Sequence, residues 1–266
     1  MRIIFIGDVM GPIGQETLTT YLPKLKAKYR PQLTIVNGEN IAMGKGITKS
    51  LYKTILTAGA DVVTMGNHTF DKDDIYEFID DANKLIRPAN FPAQHTPGKG
   101  YVLTKVNQTT VGVINLQGRV FLDSIDDPFA KVDEILAEIQ TQCDYIFLDF
   151  HAETTSEKEA MGYYVDGRVT AVVGTHTHVQ TNDAKILPKG TAYLTDVGMT
   201  GPYDEILGMR KEKVIERFLN HRPVRFETPL SGRGQLNGCV IDFSSTKNAA
   251  RKIELIQITP DQPFLE

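Results

Sequence analysis

Short apolar runs, each closed by a glycine and then a polar residue, recur along the first half of the chain. Ile3-Ile4-Phe5-Ile6, Leu33-Thr34-Ile35-Val36 and Asp61-Val62-Val63-Thr64-Met65 are rich in β-branched residues and predict strands over 2–7, 33–37 and 61–65. Between them the period changes. Leu18, Leu22 and Leu25 form a stripe at helical spacing, predicting a helix over about 15–29 that Pro31 ends. Thr48 is a plausible N-cap for a second helix reaching Ala58, with Gly59 at its C-cap. After a loop at 66–70, an acidic helix is expected over about 71–84. Strands alternating with helices through short loops predict an α/β fold with largely parallel pairing.

The second half is richer in strands. Tyr101–Val106 and Thr110–Asn115 read as a hairpin across Asn107-Gln108-Thr109, and Val132, Ile135, Leu136 and Ile139 mark a helix over about 127–142. A strand at 145–150, a helix near 155–163 and a strand at 169–174 follow, then short strands near 184–187 and 191–195. A helix at about 209–220 precedes β-like segments at 223–227, 236–243 and 252–258. No repeat, low-complexity tract or linker divides the chain, so one domain over 1–266 is expected.

Bulk properties narrow the function. The 266 residues are 41% hydrophobic and 23% charged, ordinary for a globular protein, with a net charge of −4. That balance argues against a broad electrostatic grip on nucleic acid, though not against a single nucleotide or a short strand end. No apolar run approaches the roughly 20 residues of a membrane helix, and the opening residues lack the pattern of a signal peptide. Cys143 and Cys239 lie far apart in apolar surroundings and read as buried thiols of a reducing cytoplasm.

The residues that follow the strands carry the chemistry. Ile6-Gly7-Asp8, Gly38-Glu39-Asn40, Gly66-Asn67-His68, His151 and Gly174-Thr175-His176-Thr177-His178 each stand just after an apolar run. Loops at the carboxyl ends of parallel strands converge on one crevice. Taken singly, each histidine is more often a surface or core residue, Asp8 a cap and Asn67 a turn residue. Their joint placement points to a metal site. Oxygen and imidazole donors without thiolate suit iron, manganese or zinc, and eight ligand-type residues exceed what one tetrahedral ion needs. If 176–178 is extended, both imidazoles share a face. A dinucleotide site is disfavoured: Gly7, Gly11 and Gly14 miss the required spacing, and Asp8 would meet the pyrophosphate. His95 and His221 lack the strand-end context.

These blocks resemble those of the calcineurin-like metallophosphoesterases. The similarity is closest to the bacterial YmdB-type branch, described as 2′,3′-cyclic-nucleotide 2′-phosphodiesterases. Asn115-Leu116-Gln117-Gly118-Arg119 and Thr195-Asp196-Val197-Gly198-Met199-Thr200-Gly201 match further hallmarks of that branch. Two features depart from the wider superfamily: Asp8-Val9-Met10 lacks the histidine of a D-x-H block, and Glu39-Asn40 replaces the bridging aspartate. The resemblance implies a four-layer α/β/β/α sandwich and two metal ions, iron or manganese before zinc. It implies Asp8, Asn40 and His178 at one ion, Glu39 bridging, and Asn67, His151 and His176 at the other. Attack by a metal-bridging hydroxide would then be assisted by His68 as general acid.

The expected partner is a small nucleotide phosphodiester, with no extended nucleic-acid binding and no membrane. The resemblance also suggests a homo-oligomer, which no exposed apolar stripe in the sequence supports. A phosphomonoesterase, nucleotidase or protein phosphatase on the same centre stays open, because substrate choice lies in rim loops such as 41–47, 117–124 and 200–208. So does a regulatory protein that binds nucleotides or RNA ends.

Overall fold

In the computed structural model two twisted sheets pack face to face and carry helices on their outer faces. It describes every residue except Ala93, Thr246, Lys247, Leu265 and Glu266. The first sheet is built on the parallel strands β1 (Arg2–Ile6), β2 (Leu33–Asn37), β3 (Val62–Thr64) and β4 (Leu85–Ile86). The second holds β5 (Tyr101–Val106), β6 (Thr109–Gln117), β7 (Tyr145–His151), β8 (Ala171–Thr175), β9 (Lys185–Ile186) and β10 (Ala192–Leu194), in the order β5-β6-β7-β8-β10-β9. Its core β6-β7-β8-β10 is parallel and both edge strands are antiparallel. The chain then returns to the first sheet with β11 (Gly201–Pro202), β12 (Gly234–Phe243) and β13 (Ala250–Ile258), β12 lying antiparallel against β1.

The alternation along each strand sorts the core into three layers. Ile4 and Ile6 of β1 face the helices α1 (Gly11–Tyr29) and α2 (Lys49–Ala58), meeting Leu18, Leu22 and Ile55. Ile3 and Phe5 face the other way, against Val113, Phe147 and Val173 of the second sheet. On that sheet's outer side Ile114, Leu148 and Val172 meet Val132 and Leu136 of α3 (Pro128–Ile139) and Met161 of α4 (Thr155–Tyr164). This is the four-layer α/β/β/α arrangement. Helix α5 (Lys211–Asn220) lies outside these layers, with Val214 its buried residue.

Most expected elements form with shifted ends. Helix α1 begins at Gly11 rather than 15, because Pro12 suits the first turn, where its missing N–H costs nothing. Thr48 does cap α2, its hydroxyl accepting from the Leu51 N–H at 3.3 Å. The hairpin closes more tightly than expected, with Val106 pairing with Thr109 and Asn107 at φ 57°. Two expectations fail. The acidic helix over 71–84 shrinks to a 3₁₀ turn at Asp73–Glu77. Its aspartates take backbone donors elsewhere: Asp74 accepts from Lys49 N at 2.6 Å and Asp80 from Gly98 N at 2.8 Å. The segment 223–227 pairs with no strand and runs as irregular chain along the rim. Leu85–Ile86 and Gly201–Pro202, too short to announce themselves, add β4 and β11.

The Phe5 and Phe147 rings meet edge to face at 5.0 Å in the middle of the inter-sheet layer. Phe147→Ala is expected to destabilise the protein by about 3–5 kcal/mol, read as a shift in the urea midpoint at unchanged slope. A loss under about 1 kcal/mol would mean that this layer is not where the two sheets are held.

Candidate metal centre

Five parallel strands end on one side of the sandwich, and the loops after them deliver the polar side chains. Asp8 follows β1, Glu39 and Asn40 turn away from β2, and Asn67 and His68 follow β3; His151 ends β7, and His176 and His178 lie beyond β8. The loops are knitted by their backbones: Val9 N donates to Asn37 O at 3.0 Å, Gly11 N to Asn40 O at 3.1 Å and Thr200 N to Asp8 O at 2.8 Å. Asp8, Glu39 and His151 are almost wholly buried.

The contacts fall into two groups. His151 Nε2 lies 3.0 Å from Asn67 Oδ1, 3.2 Å from Glu39 Oε1 and 3.0 Å from His176 Nδ1. Beside this group His178 Nε2 stands 3.2 Å from Asn40 Oδ1. Asp8 lies between: its Oδ2 accepts from His176 N at 3.2 Å, and its Oδ1 is buried without a hydrogen-bond partner.

The far sides of the rings assign the tautomers. His176 Nε2 is 2.9 Å from the Glu153 carboxylate, an acceptor, so the proton sits there and Nδ1 presents a lone pair inward. Thr175 Oγ1 gives its proton to Asp149 Oδ1 at 2.7 Å and so accepts from His151 Nδ1 at 2.9 Å, which leaves His151 Nε2 as the nitrogen that faces the other donors and would give up its proton to a metal. His178 Nδ1 donates to Leu207 O at 3.0 Å, and Asn40 Nδ2 to Gly44 O at 3.0 Å. His151 Nε2 therefore stands among the Asn67 oxygen, the Glu39 carboxylate and the His176 lone pair, a place for one shared proton or for a cation that replaces it. This donor set and the orphaned Asp8 oxygen fit metal binding. Glu39, His151 and His176 also offer ligand atoms within 4.8 Å of one another.

The acid–base balance of the chain's own groups has the same origin. Burial opposes the His151 imidazolium, but the charge and hydrogen bond of Glu39, aided by Asp8 and Asp149, outweigh it and hold the ring's pKa up to about 9. For Glu39 burial pushes upward and His151 overcomes it, leaving a pKa of about 2. Burial, then the neighbouring His151 charge, drives His176 down to about 3. Burial raises Asp8.

Backbone geometry is as demanding as the side chains. A Cβ on Gly66 would sit 2.3 Å from Glu39 Oε2 and 2.4 Å from His151 Nε2, so only glycine lets the β3 loop approach. The segment 176–178 is not extended: His176 and His178 have φ of 100° and 65°, so the two rings turn into different groups instead of sharing a face. Asp196 holds this strained turn, accepting from Thr177 N at 3.0 Å and from the buried Lys158 ammonium at 2.6 Å.

His68 stands apart from the donor crowd. Its backbone N–H donates to Glu39 Oε2 at 3.1 Å, while its ring Nδ1 meets Asp71 Oδ2 at 2.8 Å and the side chain lines a pocket of about 270 Å³. Sequence reasoning missed the supporting residues Asp71, Asp149, Glu153, Lys158 and Thr175. Glu153, two residues beyond His151, and Asp71, three beyond His68, lay close enough in sequence to be sought.

A family model described as YmdB-like protein matches residues 4–256. The 2′,3′-cyclic-nucleotide 2′-phosphodiesterase of Bacillus subtilis (strain 168) is 58% identical over 266 residues, covering 100% of both chains. A solved structure of a hypothetical protein from Thermus thermophilus superposes with a TM-score of 0.91 at 40% identity, covering 97% of this chain and 99% of that one. The calcineurin-like phosphoesterase YfkN from Bacillus subtilis shares the fold at a TM-score of 0.54 and 11% identity, covering 97% of this chain and 90% of its own.

A ligand must release its proton before it binds a cation. Because the pKa of His151 is raised to about 9, the sign is fixed: metal affinity falls as pH drops below that value. Between pH 7 and 8.5 the affinity for the ion that His151 holds is expected to rise about tenfold per unit, with one proton released as that ion binds, measured by calorimetry in buffers of different ionisation enthalpy. Affinity independent of pH across that window would remove His151 from the ligand set.

Proposed function

The chain belongs to the YmdB-like family of calcineurin-like phosphoesterases, and from that membership we propose that it is a metal-dependent phosphodiesterase opening 2′,3′-cyclic nucleotides to 3′-phosphates. The observation that carries this reading is the cluster of ligand-type oxygens and nitrogens around His151 Nε2, set beneath a pocket that His68 lines. Asp8, Asn40 and His178 would hold one ion, and Asn67, His151 and His176 a second, with Glu39 shared between them. Iron or manganese suits this thiolate-free donor set best, ahead of zinc. Bound ions supply a nucleophile from water at neutral pH and offset the charge of the phosphate.

The chain's own residues then manage one proton. Hydroxide adds to phosphorus, the P–O2′ bond breaks, and O2′ leaves as an alkoxide that needs protonation. The Asp71 contact supports His68 for that transfer: with Nδ1–H donating to Asp71, Nε2 is the nitrogen that would give its proton to O2′. The water proton later restores it. The imidazole points at Asp71 rather than into the donor crowd, which supports an acid over a ligand.

Among the described residues no helix is long and apolar enough to cross a membrane. Cys143 and Cys239 are buried thiols, which suits a reducing compartment, and on that ground we propose the cytoplasm. We also propose a homo-oligomer, supported by an exposed apolar surface: Phe218 and Leu219 of α5 are 74% and 80% exposed. Phe218→Glu with Leu219→Glu is expected to lower the mass measured by light scattering. A wild-type monomer would sink the proposal.

Chelation is expected to abolish turnover, and manganese or iron to restore it. His68→Ala is expected to keep both metals and to lose about 10²–10⁴-fold on cyclic nucleotides, but far less on a nitrophenyl diester whose leaving group needs no proton. Metal analysis with the two rate measurements checks this. Equal losses on both substrates, or a missing ion, would make His68 a ligand. A 5′-nucleotide monoester turned over about tenfold faster than the cyclic substrate would replace the diesterase reading by a nucleotidase one.

A further inference from the structure

The pocket above the metal centre opens into a larger groove of about 750 Å³, and Lys45 and Met209 line both. Lys45, Lys72, Arg210 and Arg225 face this groove, against Glu227 as its carboxylate. Four cations gathered in one place run against a chain whose net charge is −4. Lys72, Arg210 and Arg225 form no ion pair among the described residues, and Lys45 reaches Asp71 only at 3.9 Å. Such charges are available to a ligand.

The same groove exposes apolar faces: Phe226 is 46% exposed, and Met43 and Leu230 also line it. The groove is preformed, because its two loops are tied together. Thr228 Oγ1 donates to Met43 O at 3.0 Å and Arg210 N to Glu227 O at 2.9 Å. A Cβ on Gly46 would stand 2.9 Å from Lys72 Cγ, so the 43–46 loop packs directly on the lysine stem.

A cyclic mononucleotide carries one phosphate, and the metal centre claims it. It leaves Lys72, Arg210, Arg225, the loosely paired Lys45 and the Phe226 face without a ligand. Cations along a groove that also exposes an aromatic face suit a short single nucleic-acid strand, phosphates to the cations and one base to the Phe226 ring. Resting on the phosphodiesterase reading above, we infer that the groove binds the polynucleotide chain 5′ to a terminal 2′,3′-cyclic phosphate, so that the enzyme resolves RNA ends as well as free cyclic nucleotides. The bond broken is the same P–O2′ bond; the groove adds binding and register. A short grip of this kind is compatible with the acidic chain, since it neutralises a few phosphates instead of a duplex.

The test compares a 2′,3′-cyclic mononucleotide with a triribonucleotide ending in 2′,3′-cyclic phosphate, using the metal-loaded full chain. The trinucleotide is expected to show about tenfold higher kcat/KM at low salt, mostly through KM, with the advantage shrinking as salt rises. Arg210→Glu with Arg225→Glu is expected to erase the advantage and to leave mononucleotide turnover within about twofold. Equal kcat/KM for the two substrates in the wild type would overturn the inference. A second arm does not depend on turnover: fluorescence anisotropy with a labelled trinucleotide 3′-phosphate, on the wild type, the double variant and the milder Arg225→Ala. Weakened binding in both variants supports the groove; unchanged binding overturns it, and so does displacement by polyglutamate as effective as by unlabelled trinucleotide. Failure of both substrates to turn over would remove the phosphodiesterase reading, while the anisotropy arm still decides whether the groove holds a strand.

Discussion

Asp149 lies wholly buried between the two sheets, and its carboxylate ties them together under the metal centre. Oδ2 accepts from Thr64 of β3 at 2.5 Å and from Asn37 of β2 at 3.1 Å, both in the first sheet. Oδ1 accepts from Thr175 of β8 in the second. Burial raises the Asp149 pKa to about 7, and the Thr64 and Thr175 hydroxyls with the His151 charge oppose that rise. That constraint sets the register of four strand ends at once. The loops beyond them inherit it, and Thr175 relays it to the His151 ring through a single hydroxyl.

The site built on this clamp is crowded with ligand-type atoms. Every ligand-type ring is turned by a partner behind it: Thr175 for His151, Glu153 for His176, the Leu207 carbonyl for His178. Outer partners of this kind fix the tautomer and raise ligand basicity. Strain is stored alongside, in the left-handed turn at His176 and His178. The Asp196–Lys158 pair stabilises that turn from below. Breaking such a buried pair leaves an uncompensated charge, which is why both partners lie in well-packed segments.

Outside the metal centre the surface is organised by contrast. The segment 223–227 and the loop 43–46 contribute no regular structure, yet they carry cations and apolar faces to the rim of the reaction pocket. Freed from ladder hydrogen bonds, rim chain of this sort sets substrate choice while the sandwich below holds the chemistry constant.

The β-branched runs and their spacing were sufficient to read an α/β chain, because burial on both faces demands continuous apolar strands whatever lies around them. Glycine followed by Asp, Glu, Asn or His marked the strand ends, and Thr48 and Gly59 marked helix α2, since caps and turns are local physics. The acidic stretch 71–84 misled, because the pull of Asp74 and Asp80 toward Lys49 and Gly98 is a tertiary effect invisible to periodicity. The pairing order of the strands, the left-handed turn at 176–178, the role of Asp149 and the groove beside the pocket were decided only by the fold. Each depends on residues far apart in sequence meeting at hydrogen-bond distance, as Asn37 and Asp149 do across 112 positions. The sequence named the donors; the packing of one sheet on the other decided which of them face each other.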